Sequence, residues 1–499
     1  MQKKKIFSDY PRLICVILIV VVCVIKTQQK TTAAELIPDR TLYAVSHFGN
    51  TYEVMGENEF TQMLAEAKFW GFNAYLDWFD TIDCADPFVD PGYNMAGALW
   101  DHKKTFFAAA QKLGIKCYLA ITPNHVYLDQ CLPDLVARKE YLPNGKRVFG
   151  QLICPSKPKA RQIILKNYKN LFEDLAKSGI KLSAICPCAY DYGGCSCPDC
   201  NPWIITFAKL TKEIHEIALQ YHPNVEMRFI GWWWPKEDHL LFNQWTQKNT
   251  PLWANSIALW IPYGNSSVDE MPLPPGCDKH AFIHIGYADK GIKKDVYGHL
   301  GPVIAAERIE KTIKNLAQTG GTGFIAYSES MGDDINKALV AALASGKFNT
   351  ADDVLNAYAK RYFNANQQTA QKWTAWIKKW QDPYSADPDA LAVEFNQIFA
   401  SADTDNWRLE QWRYKIKLMK LNKAIMAIDT WTPEKLRLVD QFWAVKESLE
   451  RKLWGVGLLR HGLARHFAGV SIQWYDDWVQ QKNLPVEKIQ KKFNVTGQE

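Results

Sequence analysis

Two carboxylates stand out by their setting. Glu329 lies in Ile325-Ala-Tyr-Ser-Glu329-Ser-Met-Gly-Asp-Asp-Ile-Asn336-Lys337, and Asp191 lies in Cys186-Pro-Cys188-Ala-Tyr-Asp191-Tyr-Gly-Gly-Cys195-Ser-Cys197-Pro-Asp-Cys200. Glycosidic bond cleavage needs one carboxyl group to protonate the leaving oxygen and a second carboxylate, or a substrate group, to supply the attack. Tyr327 and the apolar face of a sugar raise the pKa of a carboxyl placed like Glu329, which suits a general acid. Asp191 is then its acidic partner, and the two roles could be exchanged. A separation of ~5 Å between such groups implies retention of configuration, and ~6.5 to 9.5 Å implies inversion.

Around this pair stand residues that grip hydroxyls: Asp77 and Asp80 in Tyr75-Leu-Asp77-Trp-Phe-Asp80, then His47, Asn124, His125 and Tyr190. Trp232, Trp234, Trp260 and Tyr287 offer flat rings for sugar faces, although such rings also fill cores. In Trp232-Trp-Trp234, strand alternation sets the middle ring opposite its neighbours. Asp333 and Asp334 are read as charge for the first turn of the next helix. Phosphate chemistry would need convergent Lys, Arg or Gly-rich turns, which are scarce here. Catalytic metal spacings such as H-x-H and H-E-x-x-H are absent, so no catalytic cofactor is expected.

Ten of the twelve cysteines lie between residues 84 and 277, crowded around 186–200. Cys195, Cys197 and Cys200, with Cys154, Cys186 or Cys188, supply four thiolates for a structural zinc. Disulfides are the competing reading, favoured by an exported location. Neither makes these cysteines catalytic.

Short apolar runs positioning these groups recur at Leu42 to His47, Phe72 to Phe79, Ile115 to Thr122, Leu182 to Cys188, Val225 to Trp232, Ser256 to Trp260, Phe282 to Gly286 and Gly323 to Tyr327. The sixth is the weakest, and the segment after it, rich in Pro and Gly, does not read as helix. Amphipathic stretches separate most of the others. Eight strands with crossover-length connections predict an α/β fold, a (β/α)8 TIM barrel over residues 40–345, whose strand carboxyl ends share one mouth. An open doubly wound sheet would carry a Gly-rich phosphate turn after its first strand, and none follows His47. Beyond residue 345 the pattern is helical to about residue 490. There Trp373, Trp376 and Trp380 follow the spacing of a buried stripe.

The first 34 residues read as a signal peptide or amino-terminal anchor. A basic start precedes thirteen uninterrupted apolar residues from Leu13 to Ile25, and small residues follow at Ala33 and Ala34. That run is shorter than the ~20 residues of a bilayer span, so a cleaved leader is the primary expectation and membrane anchoring the alternative. The destination is exported: periplasmic, extracellular or cell-surface. The formal charge of +6 is inflated by the leader lysines and Arg12, and no basic block marks a nucleic-acid partner.

The segment from Tyr190 to Trp203, with Tyr327-Ser-Glu329, Asp334-Ile-Asn336-Lys337 and Tyr358-Ala-Lys-Arg-Tyr362-Phe363, resembles bacterial barrel proteins related to glycoside hydrolase family 20 and to the α-glucuronidase families 67 and 115. The resemblance implies a secreted enzyme that hydrolyses a polysaccharide or glycan. It departs from family 20 where Asp191 is followed by Tyr192 in place of glutamate, so the substrate-assisted mechanism does not carry over. A uronate substrate would call for basic groups, and Arg228 serves only if its register points it into the barrel. The rival reading is a non-catalytic surface glycan-binding protein, which would bind oligosaccharide without turnover.

Overall fold

Eight parallel strands close on themselves: β1 (Asp39–Ala44), β2 (Ala74–Trp78), β3 (Lys116–Ile121), β4 (Leu182–Pro187), β5 (Glu226–Ile230), β6 (Ser256–Trp260), β7 (Asp278–His284) and β8 (Gly323–Ser328). The computed structural model describes residues 36–46, 51–79, 86–89, 95–138, 151–189, 194–232, 234–261, 265–289, 300–328, 330–399, 406–454 and 472–481. Neighbours in sequence are neighbours in the barrel, and β8 returns to β1 in a six-residue register from Asp39 opposite Gly323 to Ala44 opposite Ser328. This is the expected TIM barrel. The weakly patterned sixth strand is present and pairs with both neighbours, and the described residues that follow it, 265–277, contain no helix.

The strands are apolar on both faces because helices cover them from outside. Tyr75, Leu119, Ile185, Phe229, Ile257 and Phe324 face outward into one core, whereas Tyr43, Leu76, Tyr118, Cys186, Ile230, Ala258, Phe282 and Ile325 form a separate inner cluster. The covering helices are α1 (Glu57–Trp70), α2 (Met95–Lys112), α3 (Pro158–Lys177), α4 (Trp203–Tyr221), α5 (Lys236–Asn249), α6 (Ala306–Gln318) and α7 (Asp334–Ala344). All eleven residues of α7 are buried. A helix surrounded on every side has no amphipathic period, which is why its extent was not legible in the pattern.

The amino-terminal end of the barrel is plugged by an ion pair. Arg228 points inward and donates to Asp39 at 2.6 Å, Tyr118 donates to the same carboxylate oxygen at 2.8 Å, and the guanidinium lies 5.1 Å over the Tyr118 ring. Burial alone would raise the Asp39 pKa, but Arg228, His280 and the hydrogen bonds of Tyr118 and Thr41 bring it below the ordinary carboxylate value. Arg228 therefore closes the floor of the barrel, at the end opposite the mouth.

After α7 come α8 (Ala351–Tyr362), α9 (Gln367–Lys378), α10 (Pro388–Phe399), α11 (Trp407–Met426), α12 (Pro433–Trp454) and α13 (Tyr475–Gln481). Thr350 caps α8 by accepting from the Asp353 amide. Trp373, Trp376 and Trp380 are buried together with Trp412 and Phe395, a core stripe as expected. The helical region docks on the barrel through Asp334, which accepts from Arg408 at 2.6 Å and from Tyr358, and through the Trp70 indole, which donates to Tyr362 at 2.9 Å.

Arg228→Ala is expected to destabilise the fold by roughly 3 to 5 kcal/mol, because it strands a buried carboxylate. Denaturant melts at neutral pH measure this loss, and a change below about 1 kcal/mol would contradict the plug's role. Since the folded Asp39 pKa is depressed, its contribution is present above about pH 4 and disappears as pH falls through the folded value.

Candidate functional site

At the carboxyl ends of the strands the inward positions build an aromatic floor. Trp232 stacks on Phe282 with centroids 5.7 Å apart and planes 5° from parallel, and it meets His284 at 5.4 Å. Tyr43 packs edge-on against Tyr327 at 5.3 Å, and His284 meets Tyr327 at 5.1 Å and Tyr287 at 6.1 Å. Trp232, Trp260 and Tyr327 remain partly exposed. Sequence reasoning named Trp232, Trp260 and Tyr287 but missed His284. The signal for it was the alternation Phe282, His284 along β7.

His125 lies at the same end of the barrel, its ring nearly parallel to that of Trp78, with centroids 6.3 Å apart and planes at 21°. It is 7% exposed, and neither ring nitrogen has a hydrogen-bond partner. Burial pushes its pKa down to about 3, which keeps the imidazole neutral with one donor and one acceptor to offer. Asn124 beside it is occupied, its amide donating to the Ile153 carbonyl at 3.1 Å.

Other expected site residues take different places. Asp77 sits on the helix-facing side of β2, fully buried, and accepts from the Ser46 amide at 3.0 Å, the Trp78 amide at 2.7 Å and the Tyr75 hydroxyl at 2.8 Å. It ties β1 to β2 and faces away from the mouth. Trp234 is also turned outward, packed against Phe207, Phe229 and Phe242, because a turn closed by its amide donating to the Gly231 carbonyl interrupts the strand alternation before it. Asp333 pairs with Lys337 in the core, consistent with its reading as a structural residue. Glu329, Asp191, Asp80, His47 and Tyr190 lie outside the described residues.

The cysteine question has a geometric answer. The Sγ atoms of Cys154, Cys195, Cys197 and Cys200 all lie within 4.8 Å of one another. Cys154 is 3.6 Å from Cys200 and 3.7 Å from Cys197, far beyond a disulfide bond, and no disulfide joins two described residues. The disulfide expectation is corrected accordingly, and so are Cys186 and Cys188 as ligands, because both face the barrel interior. Four sulfurs around a tetrahedral zinc with ~2.3 Å bonds stand about 3.8 Å apart, which matches this spacing. Hydrogen bonds from Cys195 and Cys200 lower the Cys154 pKa and raise those of the donors, so the set already favours a thiolate. The cluster can hold a structural metal ion.

No protein-family model matches the chain, and no curated protein matches it. Several solved structures match the chain at low sequence identity. A mutant O-GlcNAc hydrolase of Thermobaculum terrenum is 9% identical with a TM-score of 0.48, covering 90% of this chain and 98% of its own. The α-L-fucosidase AlfC of Lactobacillus casei is 12% identical with a TM-score of 0.36, covering 62% and 96%. A GH20 module of the pneumococcal exo-β-D-N-acetylglucosaminidase StrH is 9% identical with a TM-score of 0.34, covering 73% and 98%.

Two outcomes follow. Purified protein should contain one zinc per chain by elemental analysis, with the four clustered thiols unreactive until a chelator is added; metal-free protein whose four thiols titrate at once would contradict the site. Asp77→Ala should lower stability by about 1 to 3 kcal/mol, through unsatisfied partners. Turnover of the folded fraction should be unchanged, and a hundredfold loss of turnover at unchanged melting temperature would return Asp77 to the substrate.

Proposed function

We propose that this protein is a glycoside hydrolase acting on an environmental polysaccharide or glycan, with Glu329 and Asp191 as its paired carboxylates. The observation that carries this reading is the aromatic floor at the carboxyl-end mouth, where Trp232, Phe282 and Tyr327 surround the neutral His284 imidazole. Flat rings recognise apolar sugar faces, and neutral donors and acceptors recognise hydroxyls. The mouth of a closed barrel is also where chemistry on this fold is assembled.

The inward Ile325 and Tyr327 belong to the end of β8 that leads to position 329. Its two neighbours are anchored. The Ser328 hydroxyl bonds Tyr52, and the Ser330 carbonyl accepts from Tyr52 at 2.8 Å and from Lys337 at 2.9 Å. Asp191 belongs to the loop whose downstream end is held by Cys195. In the proposed reaction Glu329 protonates the departing glycosidic oxygen, and Asp191 supplies the attack or activates water. Retention of Arg228 at the barrel floor removes the one basic residue considered for a uronate. A leader at residues 1–34 would export the enzyme; no helix among the described residues is long and apolar enough to cross a membrane.

A panel of aryl glycosides and natural glycans tests the proposal. Glu329→Gln and Asp191→Asn should each lose about 10²- to 10⁴-fold in turnover while melting and glycan binding stay near wild type. Near-normal turnover by Glu329→Gln would remove its acid role. Binding of oligosaccharides by wild type without any turnover would favour the glycan-binding alternative.

A further inference from the structure

The thiol cluster and His125 belong to one connected piece of structure. Leu152 pairs with His125 in a two-stranded ribbon, and Ile153 clamps Asn124 from both sides, its amide donating to the Asn124 carbonyl at 3.1 Å and its carbonyl accepting from the side chain. Cys154 is the next residue. The ribbon's outer edge is the segment Leu135 to Arg138: Ala137 donates to Leu152 at 2.9 Å and Cys154 donates to Leu135 at 2.8 Å. That segment meets the loop after β4 directly, through the Arg138 amide donating to Cys195 Sγ at 3.3 Å and the Ser196 amide donating to the Arg138 carbonyl at 2.9 Å. Thus one thiol comes from the β3–α3 connection and three from the β4–α4 connection.

Against this frame, the imidazole of His125 is more than nine-tenths buried with both nitrogens unpartnered. A buried polar ring without a partner is costly, and it is held only if its surroundings leave it no other place. The strand pairing of His125 with Leu152, two residues before Cys154, gives that constraint an anchor.

We infer that a metal ion on Cys154, Cys195, Cys197 and Cys200 is the tie that holds His125 against Trp78 as a ligand for substrate hydroxyls, so that metal occupancy sets substrate affinity and leaves the chemical step alone. The cysteines are positioning residues in this scheme, and His125 touches the substrate. The inference rests on the glycosidase reading for its substrate and on the geometry alone for the tie.

Full-length protein, zinc-loaded and after chelation, provides the test. Amide hydrogen exchange at Ala137, Ile153 and Ser196 should accelerate at least about tenfold on metal removal, while that of Ile325 in β8 stays protected. Unchanged exchange at all three amides overturns the tie. In steady-state hydrolysis, chelation should raise KM about tenfold, the scale of one lost hydrogen bond, with kcat within about twofold. A collapse of kcat at constant KM overturns the affinity role. His125→Gln should show the raised KM without chelation, and chelation should add little to it. The same KM increment on chelating wild type and His125→Gln would show that the metal does not act through His125 and overturns the proposal. Because Cys197→Ser risks misfolding, chelation of wild type is the primary arm. Exchange that responds to metal in a protein that hydrolyses no glycan refutes the glycosidase reading alone and supports the tie.

Discussion

Hydrogen bonds between β1 and β8 close the sheet, and every positional statement about the molecule depends on that closure. A closed parallel barrel has no edge strand, so each strand must be paired on both sides and apolar on both faces. Closure also divides strand side chains into two populations that never mix: those that meet helices and those that meet one another. The inner population is polar only at its two ends. At the base Asp39 accepts from Tyr118 and Arg228, with His280 nearby, and at the mouth His125 and His284 sit among aromatic rings.

The two ends use burial in opposite ways. At the base, opposite charges lie within hydrogen-bonding distance, so burial is offset and Asp39 stays ionised. At the mouth burial keeps the imidazoles uncharged: the His284 pKa falls well below its usual value, with Arg308 adding to the effect.

The fold was legible because its signals are periodic. Eight apolar runs separated by amphipathic ones leave few closures, and the Trp373, Trp376, Trp380 stripe reads as core by spacing alone. The site was legible in part. Trp232 could be placed at the mouth because it continues the alternation of β5, whereas Trp234 could not, because a turn at Gly231 resets the direction of the chain. Asp77 misled for a related reason: a carboxylate near a strand end suggests the mouth, and only the outward register of Tyr75 reveals that it is a strut. Which cysteine completes the set with Cys195, Cys197 and Cys200 depends on a two-residue ribbon too short to leave a pattern.

Helix α7 gives the chain an indivisibility that its secondary structure conceals. The change from alternating strands and helices to helices alone falls near residue 345, which looks like a place to cut. Yet α7 is buried along its whole length, and its first residue, Asp334, is neutralised by Arg408 and Tyr358 from beyond that point. A barrel severed there would carry an oily rod on its flank and an orphaned anion at the rod's tip, beside the strand that leads to residue 329. The later helices are thus less an appended module than the missing wall of the barrel.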